Sequence, residues 1–313
     1  MPRAPLERDL RTGGAWTPLQ RAKNDLLWAL TALTLATARR LSLHTLRVLG
    51  RSLGAMAHTL ARPARRTALA NVARVLPALD LRARRALVRA CFATLGEVLG
   101  ETVAVLGRGG PPLLDLTPEA RATIDEARSE GRGVVLASAH LGPWERVAAS
   151  LVAAGVPLVA LVRESYDPRL SCIYERLRNA GGVRVIWRGT PTATARIVRT
   201  LRNGELLGVP MDLRARVASI DAPFMGHEAP TALGPARIAL RVRAPVVVAT
   251  VAPGNHEALV VSATRIMADD LRPDPAGART LTTRINDELS RRILALPHAW
   301  VWMHPRWTAP TGV

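Results

Sequence analysis

The sequence predicts an α/β protein: a central, mainly parallel sheet flanked by helices, preceded by a helical N-terminal region. Three observations carry this. From Gly133 to Met211, short apolar runs of strand length alternate with helical stretches across glycine-marked turns, the pattern of stacked βαβ units. A chain of 313 residues, 48% of them hydrophobic, has enough apolar material for one large core. Between residues 26 and 60, broad apolar stretches are interrupted and flanked by arginines, the composition of helices that lie in a membrane interface.

Residues 1–25 are polar, basic and punctuated by Pro and Gly, and are expected to form a flexible tail. Residues 26–107 form the helical, membrane-associating region and residues 108–313 the α/β domain. Leu26 to Ala38 is an apolar run stopped by Arg39 and Arg40, too short to span a bilayer unaided. It lacks the small-residue cleavage signature of a removed signal peptide. Leu41, Leu43, Leu46, Val48 and Leu49, then Leu53, Met56 and Leu60, continue a helix pair whose apolar face meets either a membrane interface or the domain core. Beyond Ala61 the chain is strongly helical to Pro77, and an amphipathic helix follows from Ala83 to about Val105.

After a Gly107–Pro112 break, Glu119 to Glu130 is a helix. Gly133 to Ala139 is a short apolar run bounded by glycine, hence a buried strand, and it gives out at His140. Gly142 and Pro143 make the turn, and a helix starting at Glu145 closes at Gly155. Strand Val156–Val162 ends on Arg163, and helix Pro168–Ala180 carries Arg178. Strand Val183–Trp187, helix Thr192–Arg202 and strand Leu206–Met211 follow, the last running into Asp212. Ala222 to Thr231 reads as a loop before helix Gly234–Arg243, with Thr231 a credible N-cap. Strand Pro245–Val251, an antiparallel neighbour Ala258–Ala263 and a closing helix Thr280–Leu296 complete the domain.

A His at the carboxyl end of a strand, with a Glu at the following helix start, occupies the place where open α/β sheets put their chemistry. Imidazole suits general-base work near neutral pH, and a nearby carboxylate fixes its tautomer and stabilises the imidazolium. His140 and Glu145 are therefore the catalytic candidates. Arg163 and Arg178 can bind phosphate or a developing oxyanion bidentately, and Asp212 can orient an Arg or the His.

The net charge of +18, nearly all from arginine because Lys23 is the only lysine, favours anionic partners: phospholipid headgroups, a phosphorylated glycolipid, an acidic carrier protein or nucleic acid. Cys91 and Cys172 have no metal or CxxC spacing and read as buried small hydrophobes in a reducing compartment. No Gly-x-Ser-x-Gly elbow, Walker A, strand-following Gly-x-Gly-x-x-Gly or His-Glu-x-x-His motif occurs, so a serine nucleophile, a nucleotide cofactor and a metal are not expected. A non-catalytic nucleic-acid binder would account for the charge. It would lack a recognisable motif, and two Phe and two Tyr leave little for base stacking.

His140-Leu141-Gly142-Pro143-Trp144-Glu145 resembles the His-x4-Asp/Glu box of glycerolipid acyltransferases. More narrowly, the chain from about Leu26 to Trp307 is similar to the bacterial lipid A biosynthesis acyltransferase family, which has relatives acylating mannosylated phosphatidylinositol. The paired basic residues Arg65-Arg66 with Asn71 and Pro77, the loop Pro223-Phe224-Met225-Gly226 with Thr231, and the terminal run Pro297 to Trp307 belong to the same likeness. Two departures stand out: Val-Arg-Glu at Arg163 replaces Tyr-Arg-Pro, and Arg214 replaces the second acid after Asp212.

The resemblance implies a glycerolipid-acyltransferase-like fold and acyl transfer without a covalent intermediate. His140 would be the base and Glu145 would orient its ring, with Arg163, Arg178, Asp212, Phe224 and Thr231 at the substrates. Phe224 and Met225 either line an acyl-chain channel or belong to an ordinary buried loop. The three terminal tryptophans suit either a membrane interface or a packed core corner. The implied partners are acyl-carrier protein or acyl-CoA as donor, a glycolipid or phospholipid acceptor and an anionic membrane surface, with no cofactor. The implied place is the cytoplasmic face of the bacterial inner membrane.

Overall fold

The computed structural model describes residues 15–108, 110–165, 167–214, 217–255 and 258–307. Helix α1 (Pro18–Ala38) opens with a reciprocal cap, in which Thr17 Oγ1 accepts from Gln20 N while the Gln20 side chain accepts from Thr17 N. The expected tail is thus corrected over its final residues: Pro at the first helical position and this cap start a helix before Leu26. Residues 1–14 of that tail lie outside the described residues. Helices α2 (Leu43–Leu60), α3 (Arg62–Val75) and α4 (Leu81–Arg108) follow.

The α2–α4 contact is set by glycine. Gly50 and Gly54 face Gly96 and Gly100 so closely that a Cβ at Gly50 would lie 2.2 Å from Gly96 O, and one at Gly96 2.1 Å from Gly50 O. Each glycine weakens its own helix by the backbone freedom it surrenders. Together they let two backbones touch, the small-x-x-x-small device of close helix pairs. Arg47–Glu101 (2.7 Å) and Arg51–Glu97 (3.2 Å) bridge the two helices beside this seam. Helix α4 is the one helix among the described residues with the length and apolarity of a membrane span, although 44% of that window is buried inside the protein. Arg169 clasps α1 by donating to Asp25 (2.8 Å) and lying over the rings of Trp16 and Trp28. Leu26, Leu27, Leu30 and Leu33 of α1, and Leu49, Leu53, Met56 and Leu60 of α2, remain exposed.

After α5 (Pro118–Ser129) the sheet begins with β1 (Val134–Ser138) and continues through α6 (Trp144–Ala153), β2 (Leu158–Val162), α7 (Pro168–Ala180), β3 (Arg184–Trp187), α8 (Ala193–Arg202) and β4 (Leu206–Pro210). A hairpin of β5 (Ser219–Phe224) and β6 (His227–Ala232), helix α9 (Gly234–Val242), strands β7 (Val246–Pro253) and β8 (Leu259–Ile266), and α10 (Pro275–Ala295) complete it. Strand order is β3-β2-β4-β1-β7-β8, parallel throughout except for β8, which runs antiparallel to β7. β1 lies between β4 and β7, and its first four residues are buried, as expected of a strand covered on both faces. Ala68, Val72, Val88, Cys91 and Phe92 pack in the same core as β1, so the core runs unbroken across the boundary expected near residue 107.

Three further expectations are corrected. Ala222 to Thr231 is not a loop but belongs to the β5–β6 hairpin, turned by Met225 (φ 50°) and Gly226 (φ 78°). Two successive positive φ values fit the twist of a two-residue hairpin turn. Thr231 is not an N-cap, because it lies within β6 and Leu233 takes the cap of α9 without a side-chain bond. Cys172 is exposed, out of phase with Ser171, Ile173 and Leu177 on the buried face of α7, whereas Cys91 is buried and its thiol pushed up to about 12 by burial.

At an ordinary helical site Gly→Ala stabilises by roughly 0.5–1 kcal/mol. On the α2–α4 seam the sign should reverse. Gly96→Ala must push the helix backbones apart, and a loss of about 1–3 kcal/mol is expected, in the range of overpacked cores. Thermal melts of the detergent-solubilised protein measure it, and a raised melting temperature would show that the seam opens freely.

Candidate active site

The site follows from strand register. β1 and β4 run parallel with Ser138 opposite Pro210, so the residues two positions beyond each pair end up together. These are His140 and Asp212. Asp212 Oδ2 accepts from His140 N (2.8 Å), and Oδ1 lies 3.0 Å from His140 Nδ1. A carboxylate only accepts, so Nδ1 carries the hydrogen, and in the neutral ring Nε2 keeps its lone pair. Asp212 has no solvent exposure, while the imidazole is 28% exposed and packs edge-on against Trp144. A further donor to Asp212 is Trp300 Nε1, at 2.8 Å from Oδ2.

These contacts set the titration of the pair. Burial alone would lower His140, but the charge and hydrogen bond of Asp212, helped by Glu145 and opposed by Arg178, leave it raised above 6.5. Burial alone would raise Asp212, yet its contacts with His140 and Trp300 leave it below 3.8.

Glu145 does not hold the ring. It stands in the first turn of α6 and accepts from Arg178 Nη2 of α7 (2.7 Å). Its charge reaches His140 only through space, so the orienting role expected of Glu145 is met by Asp212. Arg178 and Glu145 are largely shielded and sit at the edge of the same cleft as His140. Arg163 is exposed just beyond β2; burial lowers the pKa of Arg188, and the charge of Arg163 adds to that lowering.

Phe224 and Thr231 are fully buried behind Trp300 and do not line that cleft. Phe224 lies against Trp300 and Trp307 under the Arg306 guanidinium, 4.6 Å away. Thr231 Oγ1 accepts from Arg306 Nη2 (2.7 Å) and Asn286 Nδ2 (3.1 Å). Both therefore shape the wall that carries Trp300. The terminal tryptophans are correspondingly a packed corner and not a membrane belt, since Trp300 and Trp302 have no exposure and Trp307 has 8%. Asn71 of α3 ties this corner down by donating to Trp302 O (2.8 Å) and His304 O (2.9 Å). Trp300 gave no sign in the sequence of reaching Asp212.

Beside His140 opens a mostly apolar cleft walled by Leu136, Val147, Leu158, Ala160, Val162 and Gly208. Among the described residues no three His, Cys, Asp or Glu side chains converge as metal ligands.

A mainly parallel α/β sheet with an imidazole–carboxylate pair at the carboxyl edge of a central strand, beside an apolar cleft, is the framework of an α/β enzyme. Over residues 19–309 the chain matches the family model described as bacterial lipid A biosynthesis acyltransferase, and it belongs to that family. It is accordingly an acyltransferase. A comparison with curated proteins gives no match.

The pair gives the protein two pH edges. The share of stability from His140, whose value is raised on folding, is complete below 6.5 and lost as pH rises through the raised value. The share from Asp212, whose value is lowered, is complete above 3.8 and lost as pH falls through the lowered value. If His140 works as a neutral base, turnover should rise with pH along a limb above 6.5. Asp212→Asn should move that limb downward, because burial then meets less opposition. A pH–rate profile of both proteins checks this, and a limb that stays put would separate Asp212 from the titration of His140.

Proposed function

We propose that His140 Nε2 takes the proton from an acceptor hydroxyl as its oxygen attacks the carbonyl carbon of an acyl thioester. The observation that carries this reading is the imidazole itself: Nδ1 is tied to a buried carboxylate while the ring borders an apolar cleft. The C–S bond then breaks, and His140 returns the proton to the departing thiolate, so no covalent enzyme intermediate forms. Asp212 keeps the tautomer and offsets the imidazolium. The side chain of Arg178, held by Glu145, offers positive charge near the developing oxyanion or a substrate phosphate, and Arg163 is a second phosphate ligand.

The donor is carried by acyl-carrier protein or coenzyme A, and its chain occupies the apolar cleft. The acceptor is a glycolipid of the lipid A precursor type; phosphatidylinositol mannoside and a lysophospholipid are the alternatives. Residues 26–107 bring the enzyme to the cytoplasmic face of the bacterial inner membrane, and residues 108–313 carry the transfer. Supporting this are the exposed apolar residues of α1 and α2 and the charge of +18, which favours anionic lipid.

Acyl transfer by purified, detergent-solubilised enzyme tests the mechanism. His140→Ala should reduce turnover by on the order of 10²–10⁴, the usual range for a general base, with an unchanged melt. Near-normal turnover would remove His140 from the chemistry. The cleft has its own test. A Cβ at Gly208 would meet Leu158 at an ordinary 3.6 Å, so Gly208→Ala should fold yet shift the preference to shorter acyl chains. An unaltered chain-length profile would place the acyl chain elsewhere.

A further inference from the structure

We propose that Trp300 is a positioning residue for the transfer, acting through Asp212. The proposal rests on the reading of His140 as the base. Asp212 accepts from the backbone N–H and Nδ1 of His140 and from the indole of Trp300. A carboxylate held only by the residue it must orient would turn with that residue. The indole N–H of Trp300 comes from elsewhere in the fold, and it fixes Asp212 independently of the imidazole.

Trp300 is itself held on several sides. Its backbone pairs antiparallel with Leu141, the residue after His140, and Gly142 N donates to Ala299 O (2.8 Å). Cys91 Sγ donates to Trp300 O, and the ring stands edge-on to Trp302 at 4.9 Å with Phe224 and Trp307 nearby. The segment that carries the indole therefore also braces the turn that carries the imidazole, so ring and carboxylate share one frame. The chemistry of the donor suits the task. An indole N–H donates without accepting or ionising, so it stabilises the carboxylate without competing for the proton that His140 handles.

Trp300→Phe keeps an aromatic ring and deletes the N–H. A hydrogen bond to a charged group of this kind corresponds to a loss of about 10- to 100-fold, expected in kcat, with KM for donor and acceptor within about twofold. A double-mutant cycle separates positioning from packing. In an Asp212→Asn background the same substitution should cost no more than about twofold, since the carboxylate it served is gone. Should Trp300→Phe fold poorly, a benzothienylalanine at position 300, with sulfur in place of the N–H, preserves the shape and should show the same kcat loss. Unchanged kcat in either variant, or the same fold-loss in both backgrounds, overturns the proposal. Full turnover in His140→Ala overturns the parent reading along with it, whereas a dead His140→Ala beside an active Trp300→Phe overturns this inference alone.

Discussion

A carboxylate removed from water loses several kcal/mol of hydration, and it stays ionised only where donors surround it. Asp212 meets that condition with donors from two distant segments, the exit of β1 and the C-terminal run, converging on a residue at the exit of β4. Each segment must be in register for the others to be satisfied. The placement of Trp300 beside Leu141, the fixing of Trp302 and His304 by Asn71 and the burial of the terminal tryptophans all serve one arrangement around that charge. Removing one donor leaves a buried acceptor short, which costs more than the bond's net worth.

Among the described residues two arginines, Arg292 and Arg306, are buried, with different solutions. Arg292 is met by Glu288, and although burial works against ionising that acid, Arg291 and Arg292 hold it down to about 2. Arg306 is met by neutral groups. It donates to Pro230 O and Thr231 Oγ1 and lies over Phe224; burial pushes it down to about 10, with the charge of Asp212 working the other way. The β5–β6 hairpin thus reaches the active edge indirectly: Arg306 grips its strand and Phe224 presses on Trp300.

The N-terminal helices couple to the same edge by contact and not by sequence proximity. The glycine seam locks α2 to α4; Glu101 of α4 binds Arg47 and also Arg146 (3.1 Å), the residue after Glu145. Arg169 joins α1 to α7, the helix that presents Arg178 to Glu145. Helices α1 and α2 are therefore joined through these contacts to the charged rim of the cleft.

Local patterns in the sequence determined much of this protein. The apolar run before His140, the glycine turns and the alternation of strand and helix specified the mainly parallel sheet, because strand burial and turn chemistry are properties of neighbouring residues. His140 at a strand end, and the box it forms with Glu145, were legible for the same reason and pointed to the family. Which carboxylate holds the imidazole was not legible. Glu145 is close along the chain, but helix α6 turns it to Arg178, and only the pairing of Ser138 with Pro210 sets Asp212 beside His140. The tryptophans were equally undetermined, since an indole suits a lipid interface and a core corner alike until the fold supplies its neighbours. Register and long-range packing arise from the whole chain, so the tertiary structure alone decided which partners the charged and aromatic side chains would have.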